Sequence, residues 1–209
     1  MTERTGFSVR SAGLIVLGAI IGVVGLSALR FAGQPPHEHV HYHANWAIFV
    51  DSERLDLTDD WYMEDVFQCL ADPSQQRAED RAHMHENNQD VVHVHASGVS
   101  WDHLLANLGF GVGDDYLETD RERLEEDDQN SVKFVLNGRP VSSIRNLPIG
   151  DEDRLLISYG TQTIKEVMES EFPVVEKSAG EYNVLPDPAS CSGQQAETLG
   201  ERIRRAVWY

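Results

Sequence analysis

The apolar and polar positions divide the chain into one long apolar run and a series of shorter, alternating segments. Residues 12–29, AGLIVLGAIIGVVGLSAL, carry no charge. A helix of that length nearly spans the hydrocarbon of a bilayer, and Arg30 can extend to the headgroups beyond it. The pattern therefore predicts a transmembrane anchor over residues 12–32, after a short N-terminus at residues 1–11. A cleaved signal peptide is the alternative, although the small residues that a cleavage site needs are poorly placed here.

After a tether at residues 33–39, alternating apolar and polar positions predict a domain over residues 40–160. Strands are expected at 40–50, 54–57, 132–136 and 155–159, with a hairpin turn at Asn137-Gly138. A helix is expected over residues 101–108, capped by Ser100 and ended by Gly109. The order strand, helix, strand, turn, strand after residue 90 predicts an α+β fold with a β-grasp-like mixed sheet and a packed helix.

Two internal segments have other patterns. Trp61 to Leu70 has apolar residues at helical spacing, so a helix is expected there. Residues 112–130 are acidic and are expected to be irregular, with 120–128 as a solvated loop.

Residues 161–209 are predicted to form a helical C-terminal extension. A helix is expected from Thr163 until Pro173 ends it, followed by an irregular stretch at 176–195 and a final helix over 197–209. That last helix carries three arginines and ends in Trp208-Tyr209. Such a composition suits a membrane interface, and docking on the protein's own domain is the alternative.

Three His-x-His pairs stand out among the polar positions. In a strand, residues two apart point to the same face, so each pair places two imidazoles side by side. Neutral imidazole is the commonest metal ligand near neutral pH, and pairs on neighbouring strands can form one patch. A polar, pH-sensitive or structural face would show the same alternation, so that interpretation stays open. The predicted metal ligands are His41, His43, His83, His85, His93 and His95.

An all-imidazole site suits Zn(II), Cu(II) or Ni(II), so we expect a transition metal ion, zinc or copper. Soft Cu(I) would favour Cys or Met ligands, and Met84 lies within the second pair. His37, in the tether, and His103, at a helix start, are not expected to be ligands. Across a hairpin around residues 86–90, members of the second and third pairs are expected to face each other.

The charge distribution limits partners and suggests an orientation. The net charge of −18 repels phosphate backbones, so nucleic acid is not an expected partner. Arg4 and Arg10 flank the apolar run on its N-terminal side, which predicts a cytoplasmic N-terminus. The chain is thus expected to be a single-pass protein of the inner membrane, with membrane lipid as a partner and its main domain in the periplasm.

Two smaller motifs add structural expectations. Cys69 and Cys191 are far apart, and in an exported domain such a pair predicts a disulfide, with two buried thiols as the alternative. Gly18 and Gly22 lie four residues apart in the apolar run, a spacing that lets a second helix approach closely. We therefore expect helix packing at these glycines, and other membrane-protein subunits as partners.

Over residues 41–160 the chain resembles an uncharacterised bacterial family of membrane-anchored extracytoplasmic His-x-His proteins. The segments that carry the resemblance are HYHANWAIFV, HMHENNQDVVHVHASGVSWDHLLANLGF, VKFVLNGRP and DRLLISYG. Some members resemble this chain also at Asp187-Pro-Ala-Ser-Cys191. The resemblance implies a shared fold and no established activity. A disulfide-isomerase activity has no support, because the chain has no C-x-x-C pair.

These observations favour a membrane-anchored periplasmic protein with a histidine-rich metal-binding face and no catalytic activity. The sequence shows no nucleophile elbow, phosphate loop or paired catalytic carboxylates. The alternative is an accessory structural subunit of a larger respiratory or photosynthetic membrane complex, which would stabilise assembly through its single helix and its periplasmic domain.

Overall fold

The computed structural model describes residues 9–35, 40–64, 78–185 and 198–208. The chain forms two compact units, which are described separately below. One consists of Met1–Glu38 with Ala196–Tyr209, and the other of His39–Gln195. The helices α3 (Ile164–Ser170) and α4 (Ala179–Tyr182), which the sequence analysis assigned to the C-terminal extension, belong to the second unit.

The first unit contains two helices, α1 (Val9–Gly33) and α5 (Leu199–Trp208). From Ala12 to Gly33, α1 is long and apolar enough to cross a membrane, and its apolar side chains are exposed. Arg202 of α5 donates hydrogen bonds to the carbonyls of Phe31 and Gln34, at 3.0 and 3.1 Å. Terminal carbonyls of a helix lack partners within it, so the arginine satisfies groups that α1 leaves open.

The second unit is an α+β fold built on two sheets. Its strands are β1 (Tyr42–Val50), β2 (Glu53–Arg54), β3 (Ala82–His83), β4 (Val91–Val94), β5 (Gly111–Val112), β6 (Tyr116–Glu118), β7 (Arg123–Glu125), β8 (Ser131–Leu136), β9 (Arg139–Val141) and β10 (Arg154–Gly160). The larger sheet has the order β3-β4-β1-β10-β8-β9, with β2 paired to β1. It is mixed, because β1 runs parallel to β10 while the other neighbours are antiparallel.

The alternating side chains of β1 divide the core into two layers. Trp46 and Ile48 pack with α2 (Trp101–Asn107) in the main hydrophobic core. Ala47 and Phe49 lie on the opposite face with α3 (Ile164–Ser170) and its buried Val167. Residues of odd number in β1 therefore share the second face, and His43 is one of them.

Local signals fix several of these elements as the sequence predicted. Asn137 and Gly138 have φ of 52° and 75°, the left-handed pair that a tight hairpin turn requires. Gly109, with φ of 76°, ends α2. Ser100 is the N-cap residue of α2, although its side chain makes no capping hydrogen bond. Thr163 caps α3 and forms a reciprocal capping box with Glu166.

The prediction of irregular structure over residues 112–130 is wrong. This stretch, with Gly111, forms the three-stranded sheet β5-β6-β7. Its strands are two or three residues long, too short to show an alternating pattern. Arg123 stabilises the pairing because it bonds Glu118 across the strands at 3.1 Å and lies 3.6 Å from the centre of the Tyr116 ring.

Two other predicted segments differ from expectation. Of the helix expected over Trp61–Leu70, the described residues 61–64 contain only the end of a 3₁₀ turn at Asp60–Tyr62, and residues 65–70 lie outside the described part of the chain. The stretch predicted to be irregular from residue 176 contains the short helix α4 (Ala179–Tyr182). The final helix of the prediction is present as α5.

Candidate metal centre

Three adjacent strands bring the three His-x-His pairs to one edge of the sheet. In the antiparallel register, His43 of β1 faces His93 of β4, and His93 in turn faces His83 of β3. The predicted facing of the second and third pairs across the 86–90 turn is therefore present. Because residues two apart share a face, the other member of each pair extends the same patch.

The six imidazole rings form one continuous cluster. The shortest separations between ring centres are 3.7 Å for His85–His93 and 4.3 Å for His43–His93. His95 lies between His41 and His83, with its ring centre 5.1 Å from each. The structure thus places all six predicted ligands together, on the face of the sheet opposite Trp46.

Ring nitrogens converge at the centre of this cluster. His93 Nδ1 lies 2.8 Å from His43 Nε2 and 3.1 Å from His85 Nε2. One nitrogen each from His41, His43 and His93 lie within 4.8 Å of one another, a spacing at which they could hold a metal ion.

Neighbouring groups fix the tautomers of two rings. His43 Nδ1 lies 2.8 Å from Asn183 Oδ1, which also accepts the backbone N–H of His43 at 3.0 Å. The amide of Asn183 donates to Asp151 at 2.8 Å, which orients its oxygen toward His43. His83 Nδ1 lies 2.8 Å from the carbonyl of Glu79, which can only accept. Both rings therefore carry their proton on Nδ1, and Nε2 of each holds a lone pair.

Burial keeps these imidazoles neutral. His43, His83, His85, His93 and His95 are at most 3% exposed, so the cluster is not the solvated polar face that strand alternation also allowed. Burial, and then the neighbouring histidines, lowers the pKa of His85 to about 4 and that of His95 to about 2. The same causes lower the pKa of His93 well below 6.5. At neutral pH the rings thus present lone pairs rather than positive charge.

The segment around α4 covers this cluster. The Tyr182 ring lies 5.8 Å from that of His43, and its hydroxyl accepts a hydrogen bond from Asn88 at 2.7 Å. Buried Asn45 fixes the helix because its side chain bonds Ser178 at 3.1 Å and accepts the N–H of Ala179 at 2.9 Å. Ser178, Tyr182 and Asn183 were not predicted from the sequence, because they lie more than 130 positions from the residues of β1 that they contact.

The donor set of the cluster is imidazole alone among the described residues. Met84 points to the opposite face, where it is fully buried and its sulfur accepts a hydrogen bond from the Trp46 indole at 3.3 Å. Glu86 lies at the edge, 3.8 Å from His85 Nδ1, and its side chain is 68% exposed. Imidazole without thioether or thiolate is a donor set for divalent Zn, Cu or Ni rather than for Cu(I).

The structure describes some of the other residues that the sequence singled out, and not others. His103 lies on α2, where its Nε2 is 3.1 Å from the carbonyl of Ala78. His37 and the predicted pair Cys69–Cys191 lie outside the described residues. Gly18 and Gly22 lie on α1 with nothing within 4 Å of the position of an added Cβ.

Comparison with protein-family models, with curated proteins and with solved structures gives no match to this chain. The histidine cluster is therefore the feature of this protein that indicates a function.

Proposed function

We propose that this protein is a membrane-anchored, non-catalytic metal-binding protein whose histidine cluster binds Zn(II) or Cu(II). The cluster supplies the ligands, and α1 supplies the anchor. The convergence of nitrogens on His93 Nδ1 is the observation that carries the proposal.

Proton counting shows why a cation suits this convergence. His43 Nε2 carries a lone pair, because the Nδ1–H of that ring donates to Asn183 Oδ1. A proton on His93 Nδ1 can make a good hydrogen bond to His43 Nε2 or to His85 Nε2, but not to both at once. A second proton is disfavoured, because burial lowers the pKa of His93 and of His85. One proton between these nitrogens satisfies only one of the two contacts of His93 Nδ1. A metal ion can instead accept a lone pair from several of the nitrogens at once.

The distances match those between ligands of one ion. With zinc–nitrogen bonds of about 2.0–2.1 Å, two ligand nitrogens lie about 2.9 Å apart at a right angle and about 3.4 Å apart at the tetrahedral angle. The separations of 2.8 and 3.1 Å at His93 are close to this range. Small rotations of the rings are enough to admit an ion.

Burial of the ligands supports a binding role rather than catalysis. Catalytic zinc sites use three protein ligands and keep a position open to water and substrate. Here the cluster offers more imidazoles than such a site needs, and five of them are at most 3% exposed. Tyr182 and Asn183 further cover it.

The proposed location is the inner membrane, with the histidine domain in the periplasm. The exposed apolar surface of α1 supports the span, and the Arg4 and Arg10 flank supports the orientation. The parallel pairing of β1 with β10, beside antiparallel neighbours, supports a β-grasp-like arrangement for the sheet.

Metal content after purification tests the proposed function. The full-length protein in mild detergent is treated with chelator, loaded separately with Zn(II) and Cu(II), freed of excess metal and measured by elemental analysis. We expect bound metal in the unmodified protein and none in the double variant His93→Ala/His95→Ala. The matched control His103→Ala removes a histidine outside the cluster and should keep its metal. Unmodified protein that retains neither metal refutes the proposal.

A second candidate function is that of an accessory subunit of a membrane complex. Gly18 and Gly22 support it, because small residues four apart on α1 let a second helix approach closely. Gly18→Ile or Gly22→Ile should then reduce the subunits that co-purify with the native protein, while Gly13→Ile should not. Unchanged co-purification in both variants argues against this role.

A further inference from the structure

The C-terminal helix α5 is held at the end of α1 by two of its arginines. Arg202 bonds the carbonyls of Phe31 and Gln34, and its guanidinium lies 4.2 Å from the centre of the Phe31 ring. Arg205 donates a hydrogen bond to the carbonyl of Pro35 at 2.9 Å. Both helices belong to the same compact unit, so α5 is fixed against the C-terminal end of α1.

The end of α1 is the depth at which the lipid headgroups begin. The apolar part of α1, Ala12–Gly33, has 22 residues. A helix of that length is about 33 Å long, slightly more than the hydrocarbon thickness of about 30 Å. The following inference rests on the proposed function in one respect, because it requires α1 to span the membrane. In that setting, the carbonyls of residues 31–35 lie at the edge of the hydrocarbon, and α5 lies beside them.

One face of α5 presents apolar side chains to its surroundings. Leu199, Ile203 and Val207 are four residues apart, so they share one side of the helix. Their exposed fractions are 66%, 49% and 40%. Ala206 shares the side of Arg202 and is buried, so the side with the three apolar residues is a second, separate face. We refer to Leu199, Ile203 and Val207 as the apolar stripe.

The residues beside the apolar stripe are those that favour a membrane surface. At about 100° per residue, Arg204 borders the stripe on the side away from Arg202, and its side chain is exposed. A long arginine side chain can reach the phosphate groups while its helix lies lower. Trp208 follows the stripe directly and is 78% exposed, and tryptophan is enriched at the boundary between membrane and water. An apolar face bordered by arginine and tryptophan is typical of an interfacial helix.

The length of α5 also favours an apolar medium around it. The helix has 10 residues, whereas isolated helices shorter than about 12–15 residues are marginal in water. Thr198 and Glu201 stabilise its first turn, because each backbone N–H donates to the side chain of the other residue, at 2.9 and 3.3 Å. These bonds and the arginines stabilise one end and one side of the helix. Removal of the apolar stripe from water would stabilise the remaining side.

We infer that α5 is an interfacial helix, which inserts its apolar stripe into the bilayer leaflet at the C-terminal end of α1. Arg204 binds the phosphate groups of anionic lipids in that leaflet. The bilayer is favoured over a protein partner because α1 itself brings the stripe to the membrane surface. Charge points the same way, since α5 carries three arginines in a chain whose net charge is −18. The histidine domain is then attached to the membrane at both of its ends.

Quenching of Trp208 by brominated lipids tests this inference. The full-length protein is reconstituted into vesicles of phosphatidylcholine and phosphatidylglycerol, with or without bromine on the acyl chains near the headgroups. The emission of Trp208 is the difference between the unmodified protein and Trp208→Phe. We expect brominated lipid to quench this emission, and acrylamide in the water to have little effect on it. The control Trp61→Phe removes another exposed tryptophan and should keep the quenching by lipid.

A matched pair of substitutions tests the apolar stripe itself. Ile203→Asn places an amide in the middle of the stripe, where insertion would remove it from water. We expect the loss of lipid quenching of Trp208 and a shift of its emission to longer wavelength. Ile164→Asn makes the same change on α3, at a side chain that is 37% exposed, and should alter neither signal.

Flotation of the vesicles separates failure of this inference from failure of the membrane anchor. In protein that floats, quenching of Trp208 by acrylamide and not by brominated lipid overturns the inference and leaves the anchor intact. Protection of Trp208 from both quenchers shows that protein covers the stripe, and it also overturns the inference. Protein that does not float with the vesicles refutes the proposed anchor, and the inference with it.

Discussion

The buried histidines should make the metal-free fold sensitive to mild acid. His85, His93 and His95 have folded-state pKa values lowered by burial, to about 4 for His85 and about 2 for His95. In the unfolded chain these rings titrate near their ordinary value of 6.5. Below that value the unfolded state binds more protons than the folded state. The contribution to stability is therefore present above pH 6.5 and is lost as the pH falls toward the folded values.

The magnitude follows from proton uptake by the unfolded chain. Between pH 7.5 and pH 5.5, a histidine that stays neutral in the folded state loses about 1.4 kcal/mol of its contribution. Three such histidines together lose about 4 kcal/mol, provided that all remain neutral when folded. Domain stabilities are about 5–15 kcal/mol, so this loss is a large fraction of the total. Bound metal should oppose it, because metal binds only the deprotonated ligands.

Urea unfolding of the full-length protein in mild detergent measures this effect. The signal is the fluorescence of tryptophan, since Trp46 and Trp101 are fully buried and become exposed on unfolding. The protein is held in excess chelator, and the free energy of unfolding is determined at intervals between pH 7.5 and pH 5.5. A parallel series with saturating Zn(II) at pH 7.5 should show higher stability than the metal-free protein.

Two variants separate the cluster from other titrating groups. His103→Asn removes a histidine outside the cluster and should keep the full pH dependence. His93→Asn/His95→Asn removes two of these groups and should reduce the slope, while His43, whose pKa is also lowered by burial, continues to contribute. A free energy of unfolding that stays constant between pH 7.5 and pH 5.5 in the metal-free protein would show that the rings are not held neutral. That result would contradict the premise that burial keeps the ring nitrogens unprotonated and therefore able to bind a metal ion.

Four further predictions concern the site and its setting. Asn183→Ala removes the oxygen that accepts hydrogen bonds from the backbone N–H and the Nδ1–H of His43. It should lower metal affinity about 10–100-fold in a competition titration. The control Asn130→Ala, in a distant turn, should leave the affinity unchanged. Metal should stay bound below about pH 6.5, where free imidazole becomes protonated, because the pKa of His85 is lowered to about 4. Dialysis at stepwise lower pH measures the release of the metal. Protease added to spheroplasts should digest the histidine domain, and a protected domain would reverse the proposed orientation. Cys69 and Cys191 should form a disulfide in the exported protein, and mass spectrometry of peptides without reduction detects it; two free thiols would contradict it.

Local patterns were sufficient for much of the fold. The apolar run, the Asn137-Gly138 turn and the end of α2 at Gly109 each depend on backbone preferences or residue spacing within a few positions. Strand alternation also assigned both members of each His-x-His pair to one face, because successive side chains of an extended backbone point to opposite faces. The pattern failed over residues 112–130, where β6 and β7 depend on Leu117 packing in the core and on Arg123 bonding across strands.

The sequence by itself determined that the histidines come in pairs with shared faces, and that an apolar segment precedes them. Only the tertiary structure decided that β4 lies between β1 and β3, which places His93 beside His43 and His85. It also decided that Asn183, 140 positions away, reaches His43. Side-chain direction follows from the local backbone, whereas strand order and burial follow from how the whole chain covers its apolar surface. The burial that keeps the imidazoles neutral is therefore a property of the assembled sheet and not of any one strand.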